Sequence, residues 1–263
     1  MTERAPGFVL RRDEPMARHS PWRVGGPVDA YMVVTRRDGL ADALSVCREH
    51  QWKRNVIGAG TRTVFRDGGS GGVVLRLGSA FAGVTEVEQG WWIGAAAPLA
   101  LIGARFVGGA PKTTLSTLRF AAGSVGASLA TDEGWEPWVE SVKWIQRSQE
   151  HTCPLHEVPG KGSVVFTEVL IRRTPREKAR PPVVPHGWFK AEDDDAAELL
   201  RDTGLSATRL RGVLLPSAEP DLLVNLGDGN AKDFALLHKS IVEKIQDKRG
   251  VSLQDAMTWI GRP

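Results

Sequence analysis

The tightest constraint on the fold is the glycine punctuation of the first eighty residues, set directly against short apolar runs. Asn55-Val-Ile57 reads as a strand that runs straight into Gly58-Ala-Gly-Thr-Arg-Thr63, and Asp67-Gly-Gly-Ser-Gly-Gly72 runs straight into a second, Val73-Val-Leu75. So much glycine in a turn predicts positive φ or close backbone approach, because a residue without Cβ does both at little steric cost. Upstream, Ala30-Tyr-Met-Val-Val34 suits a buried strand, and Leu40, Ala43, Leu44 and Cys47 within Asp38–Gln51 are spaced as one helix face. Strand, helix and strand joined by such turns predict an α/β or α+β nucleotide-binding unit.

Composition narrows the class. The chain has 263 residues, 41% of them hydrophobic and 25% charged, which is globular and long enough for one large domain or two to three small ones. A net charge of +3 is too weak to argue for nucleic acid. Cys47 and Cys153 form neither a disulfide framework nor a metal knuckle. No stretch has the length of a membrane span or of a signal h-region, so the expected location is cytoplasmic and no membrane insertion is expected. The oddity is nine Trp against a single Tyr, Tyr31.

Residues 1–20 read as an extended arm, 21–80 and 81–171 as two successive lobes, 172–185 as a linker with four prolines and five basic residues, and 186–263 as a C-terminal lobe. In the second lobe, Gly83–Gln89, Trp91–Gly94, Val142–Ile145 and Val164–Ile171 look strand-like, and Pro98–Val107 helical. The C-terminal lobe carries a helix near Asp194–Thr203, a strand at Leu222-Leu-Val-Asn225, and a long helix from Ala231 to Lys248 with Phe234, Leu237, Ile241 and Ile245 on one face.

Several constellations bear chemistry. Gly58, Gly60, Thr61 and Arg62 follow a strand, and successive backbone N–H groups in such a turn make an anion-binding concavity. Gly123, Ser124, Val125 and Gly126 form a second turn of this kind, and Gly25-Gly26 a third glycine pair. The acidic run Glu192–Asp195 reads as a helix N-terminus and not a Mg²⁺ site, and His151, Cys153 and His156 as a surface loop and not a zinc site. Gly68-Gly-Ser-Gly-Gly72 matches a nucleophile elbow in letters only, because it leads into a strand and not a helix.

Taken in order, these segments resemble a known family. Arg23-Val-Gly-Gly-Pro-Val-Asp29 and the whole run from Gly58 to Leu77 resemble the N-terminal half of the MurB family, the flavin-dependent UDP-N-acetylenolpyruvoylglucosamine reductases of peptidoglycan precursor synthesis. Gly123-Ser-Val-Gly-Ala127 is similar to that family's Gly-Thr-Val-Gly-Gly turn. Trp188-Phe-Lys190, Val224-Asn-Leu-Gly227, Ala231-Lys-Asp233 and Trp259-Ile-Gly261 match its C-terminal spacing. The resemblance implies an α+β fold: a two-lobed FAD-binding domain of the vanillyl-alcohol-oxidase/MurB type, plus a C-terminal α/β lobe for a UDP-sugar. It implies FAD held by Gly58, Gly60, Thr61, Arg62 and Gly123 to Gly126, NADPH as reductant in active members, and Lys190 on the substrate.

The departures carry as much information. The family's serine proton donor lies in Gly-Ser-Val-Phe-Lys, where this chain reads His186-Gly-Trp-Phe-Lys190, leaving Gly187 in the serine's place. The family's glutamate, in Leu-Glu-x-Glu-Val, meets Leu253-Gln-Asp-Ala-Met257 and falls on Ala256. The Gly-Tyr-Arg segment has no counterpart between Glu150 and Val164, and Tyr31 in the first strand is the only tyrosine available anywhere. Proton donation and carboxylate polarisation are terms the transition state needs, and each loss costs orders of magnitude in rate. Against FAD stand Arg62 for the family's asparagine, Asp132-Glu133 in its Met-Asn-Ala-Gly stretch, and Trp135 and Trp138 as indoles able to fill a cofactor's space.

The expectation is therefore a MurB-like pseudoenzyme without a catalytic set, binding or regulatory in role and linked by family to the cell wall. An active but divergent reductase using His186, Lys190 or Asp255 is the alternative, and a nucleotide or UDP-sugar sensor a second. A partner-binding role predicts exposed aromatics, with Trp91, Trp92, Trp135 and Trp138 as the candidates, although core packing is the expectation for at least half of them.

Overall fold

A computed structural model of the chain describes residues 7–105, 123–176, 187–191 and 195–263. The elements begin with β1 (Phe8–Pro15), β2 (Pro27–Val34), α1 (Gly39–Glu49), β3 (Arg54–Ile57), β4 (Thr63–Phe65) and β5 (Ser70–Leu77). Then come β6 (Val84–Val87), β7 (Gly90–Gly94), α2 (Leu99–Arg105), α3 (Val125–Thr131), β8 (Val139–Gln146), β9 (Gln149–Cys153) and β10 (Val165–Arg172). The last stretch holds β11 (Phe189–Lys190), α4 (Ala196–Asp202), β12 (Arg209–Leu210), β13 (Val213–Leu214), β14 (Val224–Asn225), α5 (Ala231–Arg249), β15 (Gln254–Asp255) and β16 (Thr258–Ile260). By packing, the chain divides into two compact units. The first is Met1–Arg12, Ala30–Ala59 and Gly72–Val184; the second is Asp13–Asp29, Gly60–Gly71 and Pro185–Pro263.

Two sheets dominate the first unit. One has the order β1-β2-β5-β3, with β3 and β5 parallel; the other, β6-β7-β10-β8-β9, has antiparallel neighbours throughout. The apolar face of α1 packs as its spacing predicts, burying Leu40, Ala43, Leu44 and Cys47 with Met32, Val34, Val73 and Leu75. Burial pushes the Cys47 thiol upward against the opposing pulls of Arg54 and its own turn. Phe8–Pro15, expected as part of a free arm, is extended but paired as β1 at the sheet edge. The His151–Cys153 stretch is likewise strand β9 and not a loop. His151 stacks on Trp144 at 4.2 Å, and the Trp144 indole N–H donates to Cys153 Sγ at 3.3 Å, so the cross-strand pair gives these polar residues their place.

In the second unit the glycine-rich turn works by close approach. Gly69 has φ +69°, and a Cβ on Gly26 would overlap the Asp67 carbonyl and lie 2.8 Å from Gly69 N. That turn presents Asp67, whose carboxylate accepts the Ala231 and Lys232 N–H groups at 3.0 Å each and so caps α5. Asn230 and Asp233 complete a capping box there. β16 pairs parallel with β4, Trp259 opposite Val64. The buried face of α5 (Phe234, Leu237, Ile241, Ile245) packs with Trp188, Phe189, Leu215 and Leu223.

Candidate functional site

The residues marked by sequence divide between the units. Gly58 and Gly123 to Gly126 lie in the first; Gly60, Thr61, Arg62, Gly187, Lys190 and Ala256 lie in the second. His186 and Glu192 to Asp194 lie outside the described residues.

In the first unit β3 delivers Gly58 against the start of α3. A Cβ on Gly58 would overlap Ser124 Oγ and come within 3.0 Å of the Ala127 methyl. Gly126 is held as closely, an added Cβ falling 2.7 Å from Ala95 Cβ. Two N–H groups of the α3 first turn are already engaged: Val125 N donates to Ala97 O at 3.0 Å and Gly126 N to Ala95 O at 2.8 Å. The Ser124 hydroxyl is the exception. It is buried, it does not cap α3, and it has no hydrogen-bond partner. An unmet buried hydroxyl costs about 1–3 kcal/mol, so an acceptor brought to it is favoured.

The features set against a cofactor turn out differently from one another. Asp132 is buried, but its carboxylate accepts from the hydroxyls of Ser128 and Thr131, while Glu133 is exposed. Trp135 is a core residue of the second sheet: fully buried, packed with Leu129 and Val139, its N–H donating to Ser128 Oγ at 3.0 Å. Trp138 is buried in the same core. Neither is therefore an exposed partner-binding aromatic. Trp91 and Trp92 are half-buried, with Arg173 at 4.7 Å and Lys143 at 4.3 Å over their rings. Of the four candidates, two are therefore core residues, as expected for at least half of them, and the other two are half-buried beneath cations.

In the second unit the segment from Gly187 to Lys190, which ends in β11, is fastened on both sides. Trp188 N donates to Asp221 O at 2.7 Å, Ala256 N donates to Trp188 O at 3.1 Å, and Phe189 pairs with Asp255. Gly187 is buried, and a Cβ there would overlap the Asp221 carbonyl oxygen and lie 2.5 Å from Asp221 Oδ2. Ala256 is half-buried with a methyl for a side chain. Lys190 is exposed and pairs through its backbone with Gln254. Asn225 is fully engaged: its oxygen accepts from Gly227 N at 2.8 Å and Gly229 N at 3.0 Å in its own loop, and its amide donates to Gly229 O at 2.9 Å and to the distant Trp22 O at 3.2 Å.

One group escaped sequence reasoning. His238 on α5 is buried, its ring lies flat on Phe189 (4.7 Å, 1°), and Nε2 sits 3.7 Å from Asp255 Oδ1 without a hydrogen bond. Its signal was its place: one residue after Leu237, on the apolar stripe of α5. Asp255 is held in turn, accepting from Met257 N at 2.8 Å and the Trp259 indole N–H at 2.5 Å. Among the described residues no cluster of three or more metal-ligating side chains occurs.

Two α+β units, one with glycine turns set after a strand and before a helix, define the class of fold: it is the one seen in MurB. The crystal structure of MurB from Thermus caldophilus superimposes with a TM-score of 0.71 at 21% identity, over 97% of this chain and 100% of that one. Residues 157–260 match the family described as UDP-N-acetylenolpyruvoylglucosamine reductase, C-terminal domain. Proteins of that name are similar over almost the whole length: 26% identity in Rubrobacter xylanophilus (95% of each chain) and 27% in Phenylobacterium zucineum (97% of this chain, 96% of that one). The chain is thus similar over nearly its whole length to reductases of that name, and its residues 157–260 match their C-terminal domain.

Proposed function

We propose that this chain is a pseudoenzyme of the MurB family: it keeps the MurB fold, does not perform the enolpyruvyl reduction through the family's residues, and acts by binding or regulation in cell-wall precursor metabolism. The observation that carries this is the filled space at position 187. Glycine there is more than a lost hydroxyl, because the Asp221 carbonyl and carboxylate stand where any side chain would begin. With Ala256 at the second position, neither residue itself carries a side chain that donates a proton or polarises a carboxylate.

FAD is the cofactor such a fold would take, and the first unit's residues fit it. The unpartnered Ser124 hydroxyl suits a phosphate oxygen, and glycine at 58 and 126 keeps backbone close around it. Gly60, Thr61 and Arg62 of the second unit are the further cofactor residues that the family resemblance implies, and Lys190 would meet a UDP-sugar phosphate. Bound FAD would supply hydride transfer; this chain's residues would bind and orient without delivering the proton that completes a reduction.

An active, divergent reductase is the alternative, and one observation favours it: the Asp221 carboxylate occupies the volume from which the family's donor would project. Purified protein decides between them. The proposal expects NADPH oxidation with the enolpyruvyl UDP-sugar to stay at background, whether or not the protein carries flavin absorbance. Turnover at a family-like rate overturns it, and loss of that turnover in Asp221→Asn assigns the acid. Calorimetry with UDP-N-acetylglucosamine separates a sugar-binding sensor, which gives heat, from a pure scaffold, which gives none.

A further inference from the structure

We propose that the outer edge of β9 is a self-association surface, on which a second copy of this chain adds its own β9 antiparallel about His151. The surface lies in the first unit, away from the positions that carry the functional reading above.

Hairpin geometry decides which groups face outward. β8 and β9 are joined by Arg147 and Ser148, both at positive φ (+50° and +65°), the two-residue turn whose twist suits a hairpin. Such a turn is closed by a hydrogen-bonded pair, here Gln146 with Gln149, and bonded and non-bonded pairs then alternate along the ladder. Trp144 and His151 are therefore a bonded pair. Glu150 and Thr152, opposite Ile145 and Lys143, turn their N–H and C=O groups away from β8. β9 is the last strand of its sheet, both residues are exposed, and among the described residues no further backbone hydrogen bond reaches them.

Other sheet edges are guarded. β6, at the far side of the same sheet, is tied at its end by Arg173, which donates to the carbonyls of Val87 and Glu88 at 3.1 Å each and pairs with Glu86. In the other sheet β1 carries exposed Arg11 and Arg12 and ends in Pro15, and β3 begins with Arg54. β9 (Gln149–Cys153) holds no lysine, arginine or proline, and its register against β8 runs without a bulge. An edge left this regular is a template for another strand.

A copy of the same strand fits because the free groups are symmetric. They lie one to each side of His151, so a two-fold axis there sets Glu150 opposite Thr152 of the second copy, and the reverse. Each pair then exchanges N–H···O=C bonds in both directions. No like charges stand directly opposite, whereas a parallel copy in register would set Glu150 beside Glu150. The contact closes after two chains and joins two five-stranded sheets into one. A contact along one short strand is smaller than a permanent interface, so the dimer is a weak one.

Analytical ultracentrifugation of the full chain from about 10 μM to about 1 mM, combined with hydrogen exchange, tests this. The expected result is monomer giving way to dimer as concentration rises. Exchange of the Glu150 and Thr152 amides should slow several-fold, and that of the His151 amide, already held by β8, should change less. Thr152→Glu sets like charges opposite each other on both sides of the axis and should raise the dissociation constant up to roughly tenfold. Thr152→Lys sets opposite charges there and should lower it. A monomer throughout, open-ended assembly, unchanged exchange at Glu150 and Thr152, or the same response to both substitutions overturns the proposal. Should a substitution impair folding, the wild-type exchange measurements alone decide it. These readouts need neither flavin nor substrate, so their failure is separable from failure of the pseudoenzyme assignment.

Discussion

The two units treat their marked positions in opposite ways. In the first, Ser124 leaves a hydroxyl without a partner beside Gly58, a position short of one acceptor. In the second, Gly187 is crowded by Asp221 from backbone and side chain together, a position with no room for anything more. On the proposed reading, the first is a binding loop kept under-satisfied and the second a family catalytic position packed shut, two different kinds of divergence. The first is reversible by a ligand; the second is built into the packing.

The largest expected effect tests the crowded side. Gly187→Ser restores the family's residue by letter, but should destabilise the protein by roughly 3 kcal/mol, the upper range for overpacking against rigid backbone, and restore no reductase activity. Chemical denaturation measures the first and NADPH oxidation the second; a stable, active Gly187→Ser protein would break the comparison. Next, Asp67→Ala strips the tethered carboxylate from the start of α5 and should cost about 1–2 kcal/mol in the same denaturation experiment.

On the under-satisfied side, Ser124→Ala should stabilise the flavin-free protein by about 1 kcal/mol and weaken binding of added FAD tenfold or more, read by quenching of flavin fluorescence. Loss of stability in the flavin-free state would mean that the hydroxyl already has its acceptor. The smallest effect concerns Glu168 in the first unit. Burial alone would raise its value, but hydrogen bonds from Lys143 and Arg37 outweigh burial and hold it below the ordinary range. Its contribution is present above about pH 4.3 and disappears as pH falls through the lowered value. Glu168→Gln should flatten acid unfolding in that window by less than about 1 kcal/mol, since solvent screens the network.

Much of the fold was legible because periodicity reports burial directly. Ala30–Val34 lies within β2, the Leu40–Cys47 stripe within α1, Asn55–Ile57 within β3, and Ala231–Lys248 is nearly all of α5. The rest depended on partners far along the chain. Nothing local marks Thr258–Ile260 as the neighbour of Thr63–Phe65, or assigns Asp13–Asp29 and Gly60–Gly71 to the same unit as the C-terminal lobe. The tryptophans meet a related limit. Their count is visible in sequence, but whether an indole meets solvent, a cation or a core is decided by packing, and Trp135 and Trp138 went to the core. At position 187 the glycine could be read from the letters, whereas the crowding around it needed the position of Asp221.

The parallel seam between β16 and β4 has a consequence for how the molecule comes into being. A nascent chain emerges in order, yet residues 13–29 and 60–71 cannot complete their unit until residues 258–260, the other half of that seam, have been synthesised. These early segments must wait while most of the first unit has already been made, so the contacts that close the second unit span nearly the whole chain and are expected to form last and slowly.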